Sequence, residues 1–134
     1  MEAYELLPIV ALFALVTVEF GGHALLQFLT TRQGTLTPLR ERSFRAGHAH
    51  AGVLLILSLV YFLYLPQAEF SSSTDWLFGV LLLVGVLAQS GGFFVHLALG
   101  SEGRASLGTH LTRAGAVLIA AALIALGVGL VQSL

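Results

Sequence analysis

The chain has 134 residues, 57% of them hydrophobic and 10% charged, with a formal net charge of −1. Soluble domains carry about 25% charged residues, so this composition excludes an ordinary soluble domain and belongs to a single-domain membrane protein. The lack of cysteine excludes disulfides, thiolate metal sites and thiol catalysis, and a chain without lysine and near neutrality offers nucleic acid no basic surface.

Four apolar stretches are long enough to cross a bilayer, which takes roughly 20 residues. They run from Leu6 to Leu29, Phe44 to Leu65, Trp76 to Leu99 and His110 to Leu130. Backbone groups in lipid must be satisfied within their own segment, so each stretch is expected to be a helix. The fold class expected is an all-α membrane protein, four transmembrane helices in an up-down bundle. The leading Met1-Glu2-Ala3-Tyr4-Glu5 is acidic and shows neither the basic region nor the cleavage site of a signal peptide, so the first stretch is read as a retained span.

The first connection, Thr30 to Ser43, holds Arg32, Arg40 and Arg42, and Arg45 opens the second span. The second, Pro66 to Asp75, holds Glu69 and Asp75 and no basic residue. The third, Gly100 to Thr109, holds Arg104, with Arg113 one turn into the last span. All the arginines thus fall on one side, opposite Glu2, Glu5, Glu69 and Asp75. In short loops this bias predicts a multi-pass plasma-membrane protein with cytoplasmic arginine loops and both termini outside. Tyr4, Tyr61, Tyr64 and Trp76 fall near the outer boundary, where amphipathic rings are favoured.

A faint repeat links the two halves. Glu19-Phe20-Gly21-Gly22 with His23 echoes Gln89-Ser90-Gly91-Gly92 with His96, and Arg45-Ala46-Gly47 echoes Arg113-Ala114-Gly115. Two repeated helical hairpins would produce this; so would the general abundance of small residues in membrane helices.

With this topology every histidine falls in the cytoplasmic third. At about 1.5 Å rise per residue His23 lies roughly 10 Å in from the end of the first span, and Glu19 about 16 Å in, near mid-bilayer. An ionised carboxylate there costs several kcal/mol, so Glu19 should be neutral or partnered and is a functional candidate. Glu19, His23 and Gln27 form one stripe. Such a stripe can orient a liganding imidazole, hold a proton or bind metal; the structural alternative is a hydrogen bond tying the first helix to Gln89 or Ser90. His48 and His50 point about 200° apart, so only one can face the bundle axis. Gln89, Gly92 and His96 share a face, and His110, at a helix end, reads as solvated. Gly21, Gly22, Gly47, Gly52, Gly91 and Gly92 lie at the depth of the imidazoles, where small residues allow close helix contact or leave room for a flat cofactor.

These features point first to a haem or metal site in the cytoplasmic half of the bundle, redox-linked in function. A b-type haem would take His23 or His96 together with His48 or His50. A transition metal (zinc, iron or copper) would recruit Glu19 with His23, His48, His50 and His96. No His-Glu-x-x-His spacing is present to specify the metal.

Gly47-His48-Ala49-His50-Ala51-Gly52-Val53-Leu54-Leu55-Ile56, running on to Tyr64-Leu65-Pro66, resembles a helix of small proteins related to subunit I of the haem-copper oxidases. There a His-Ala-His stretch opens an apolar helix ending at proline, and its histidines are associated with haem. The resemblance covers about 20 residues and implies haem at His48 or His50, although Ala51, Gly52 and Val53 stand where those relatives carry Asn and a Gly-Trp pair. Arg45-Ala46-Gly47-His48-Ala49-His50 is also similar to the opening of the second helix in the MAPEG family of four-helix glutathione-linked enzymes. That family's Asn and following Glu are missing, so the likeness extends to size and topology and not to glutathione binding.

The competing class is a non-enzymatic accessory or assembly subunit, or a small transporter, using Glu19 and the histidines as interhelical glue or a proton path. Short loops bury little surface, so besides the lipid bilayer the expected partner is a homo-oligomer or a larger membrane complex.

Overall fold

The computed structural model describes residues 1–31 and 36–134. Its elements are α1 (Ala3–Thr31), α2 (Pro38–Tyr64), a 3₁₀ turn over Leu65–Ala68, α3 (Ser72–Leu99) and α4 (Leu107–Gln132). All four helices are long and apolar enough to cross a membrane, and they pack against one another in alternating directions. This is the fold of an integral membrane helical protein. Among the described residues the only extended pairing is an isolated bridge between Ser101 and Arg104.

The helices overrun the apolar stretches because capping chemistry, not hydrophobicity, sets their ends. Thr37 caps α2, its hydroxyl accepting from Arg40 N at 3.4 Å, with Pro38 in the first turn where a missing N–H costs nothing. Ser71 caps α3 in the same way through Thr74 N, at 3.4 Å. A reciprocal capping box of Ser106 and Thr109 opens α4. At the far end of α2, Pro66 enters the 3₁₀ turn and Glu69 adopts φ +51°, reversing the chain toward α3.

α3 is the central helix, packing along α4 on one side and α2 on the other; α1 rests chiefly on α2, so α1 and α4 occupy opposite edges. The α3–α4 seam brings backbone against backbone. Gly108, Gly115, Ala122 and Gly129 are all buried at seven-residue intervals on α4, the period of left-handed helix pairing. A Cβ at Gly92 would stand 2.6 Å from Gly108 O, and one at Gly115 would stand 2.6 Å from Gly85 O. Glycine alone permits that approach. The echoed glycine pairs therefore carry different contacts: Gly21 and Gly22 face a side chain of α2, Gly92 faces the backbone of α4, and Gly91 faces open space.

The buried apolar core lies toward the end that carries Glu2, Glu5, Glu69 and Asp75. Ala3 and Leu7 of α1, Tyr61 and Phe62 of α2, Leu82 of α3 and Leu126 of α4 belong to it. Tyr61 corrects the expectation of an interfacial aromatic. With Ser58, Phe62 and Leu65 it lies on the face of α2 turned into the bundle, and it is 2% exposed. Neither its hydroxyl nor Asp75 Oδ1, buried in the first turn of α3, has a hydrogen-bond partner among the described residues.

Toward the arginine-bearing end the packing opens. α1 touches α3 where Leu7 meets Gly79, then diverges, leaving a crevice of about 350 Å³ lined by Ala14, Thr17, Val18, Ala51, Leu55 and Ser90 among others. At the end itself, Arg42 reaches Glu102 in the α3–α4 loop at 2.9 Å, an ion pair exposed on both sides.

Candidate functional site

The polar residues gather in the half of the molecule where the apolar core is absent, and α2 distributes them. His48 projects from one flank of α2 toward α1. Its ring lies over Gly21 and Gly22, with Cε1 and Nε2 each 3.1 Å from the place a Cβ of Gly22 would occupy. The glycine pair thus makes room for an imidazole. His50 projects from the opposite flank toward α3, as the 200° separation requires. Its ring centre is 4.8 Å from that of Phe93, and its Nδ1 lies 2.8 Å from Ala46 O. A carbonyl only accepts, so Nδ1 carries the proton, and in the neutral ring Nε2 keeps its lone pair.

His96, in the last turn of α3, meets Ser106 Oγ through Nδ1 at 2.7 Å. The same Ser106 caps α4, so this contact ties the end of one helix to the start of the next. His110 is exposed in the first turn of α4, as expected of a helix-end residue.

Glu19 and His23 go elsewhere. Both are exposed, on a flank of α1 beside its contact with α2, with Gln27 beyond them. The expected structural bond to α3 does not form: Ser90 Oγ donates to its own helix at Val86 O, 2.6 Å, and on Gln89 the contact that forms is to its backbone carbonyl, which accepts from Thr112 Oγ1 of α4 at 3.3 Å. No ion pair or hydrogen bond joins the Glu19 or His23 side chain to another described residue.

The structure therefore brings His48 to the glycines of α1, His50 to Phe93 and His96 to Ser106. It does not draw Glu19, His23, His48, His50 and His96 to one point. Among the described residues no three His, Cys, Asp or Glu side chains form a group able to hold a metal ion. Ser106 is the participant that apolar patterning does not single out; its signal is the Ser-x-x-Thr spacing to Thr109. At the opposite end of the bundle, hydropathy alone puts Asp75 in a loop, whereas Ser71 four residues earlier marks a helix start that carries it inside.

Comparison with protein-family models, with curated proteins and with solved structures gives no match for this chain.

Proposed function

We propose that this chain is a non-enzymatic accessory subunit of a membrane assembly, and that the outward face of α1 is its docking surface. The orientation that goes with this reading places the arginine-bearing end in the cytoplasm and both termini outside, from the loop charges. The observation that carries it is the position of Glu19, midway along α1 and exposed. A carboxyl group at that depth facing lipid costs on the order of 3 kcal/mol even when counted by insertion. A second transmembrane surface that covers and hydrogen-bonds it removes the cost. α1 also has the smallest buried share of the four helices, 6% across its most apolar window against 28–33% for the others. In mildly solubilised native membranes a tagged chain should migrate in a species larger than the single chain, and Glu19→Leu should release it. Unchanged migration of Glu19→Leu, or migration of the parent as a lone chain, would refute the reading.

One observation favours a second reading, a haem or metal ligated by histidine. The Nδ1 contact of His50 with Ala46 O leaves Nε2 as the coordinating atom, the arrangement in which a backbone carbonyl fixes a ligand's tautomer. His50 would serve as one ligand and His96, on the adjacent helix, as the other; a bound haem would supply one-electron chemistry there. Purified protein should then show a Soret band, or stoichiometric zinc, iron or copper, that His50→Ala abolishes. Colourless and metal-free protein would refute it.

A further inference from the structure

We infer that the occupant of the α1 face is a second copy of this chain, docked in parallel, with Glu19 of each copy paired to His23 of the other. The inference rests on the docking reading above and adds the identity of the partner.

The first support is the pattern of the face. Ile9, Leu12, Val16, Glu19, His23 and Leu26 alternate three and four residues apart along α1, and every one is exposed. That alternation is the one a two-stranded helix pair uses for its seam; the neighbouring stripe through Phe13 and Phe20 shares the spacing and the exposure, and what singles this one out is that it carries Glu19 and His23. Through Ile9, Leu12 and Val16 it lies away from Leu7 and Val18, which meet α3 and α2, and at Leu26 it borders the α2 contact one turn beyond Gly22.

The second support is self-complementarity. Copies inserted under the same loop-charge bias share one orientation, so two α1 helices meet in parallel about a two-fold axis along the membrane normal. Residues of equal depth then face each other. Glu19 and His23 differ in height by about 6 Å, so on the seam each carboxyl lies beside its counterpart and one turn from the other copy's imidazole, which completes the hole that receives it. One acid and one base on each seam give two equivalent Glu–His contacts, both enclosed. Without the second copy the carboxyl of Glu19 has no partner among the described residues, so each copy completes the other's site.

Single-cysteine chains test this cleanly, because the parent has no cysteine. Val16→Cys lies on the seam; Val117→Cys, 68% exposed on α4, is the control. Purified chain reconstituted alone into phosphatidylcholine vesicles and oxidised should yield a disulfide-linked dimer from Val16→Cys at least tenfold faster than from Val117→Cys. In the Val16→Cys background Glu19→His or His23→Glu should each slow cross-linking about tenfold, and the double exchange should restore it, since exchanging acid and base preserves the pairing. Equal rates for the two cysteines would overturn the second copy as partner. Seam-specific cross-linking without rescue would overturn the Glu19–His23 pairing. Equal rates, alongside a large species in native membranes that Glu19→Leu still releases, would leave the docking reading standing with a different partner.

Discussion

The imidazole of His48 lies across the backbone of Gly22, two ring atoms standing 3.1 Å from where a Cβ would be. The contact explains why a glycine pair interrupts α1 at a depth where leucine and valine would favour the helix more. It also defines what the α1–α2 contact tolerates. Gly22→Leu should destabilise the fold by about 1–3 kcal/mol through overpacking, and His48→Ala in the same chain should recover part of that loss. Thermal unfolding of both variants in detergent provides the check; a loss that His48→Ala leaves untouched would mean the ring is not what the leucine strikes.

Neighbouring glycines of α3 should respond oppositely. Gly91 has open space where a Cβ would stand, whereas Gly92 faces Gly108 O at 2.6 Å. Gly91→Ala should be neutral or stabilising by up to about 1 kcal/mol, because alanine is the better helix former. Gly92→Ala should cost about 2–3 kcal/mol, since backbone cannot yield as a side chain can. Parallel unfolding curves settle the matter, and equal effects would remove the backbone contact from the account.

The bond between His96 and Ser106, 2.7 Å long, joins α3 to the cap of α4. Its worth is expected near 1 kcal/mol. A double-mutant cycle of His96→Ala and Ser106→Ala should return a coupling of that size; strictly additive effects would show the contact contributes nothing.

Tyr61 buries a hydroxyl with no partner among the described residues. Removing an unpaired buried polar atom relieves its desolvation, so Tyr61→Phe should leave stability unchanged or raise it by about 1 kcal/mol. A lower melting temperature for Tyr61→Phe would show that the hydroxyl is bonded after all.

The linear chain determined a good deal by itself. Apolar length alone specifies four helices, because a backbone in lipid has no other way to satisfy its polar groups. Helical geometry alone sends His48 and His50 to opposite flanks of α2, whatever they meet there. The caps at Thr37, Ser71 and Ser106 are equally local, each reaching a backbone amide within its own turn or, for Ser106, sharing a box with Thr109.

Which helix lies beside which was decided only in three dimensions, and with it the place of Glu19. A soluble helix announces its inner face by an apolar stripe, but α1 is apolar nearly all round, so its sequence does not say which side is covered. The close approach of α3 and α4 along Gly85, Gly92, Gly108 and Gly115 fills one side of the central helix, and α2 takes the other. α1 is left on the edge, held through Gly21 and Gly22, with its acid and its imidazole exposed on the flank beside that contact. Glycine spacing carries that information only as pairs of surfaces that fit, and fit between surfaces exists only once the chain has folded.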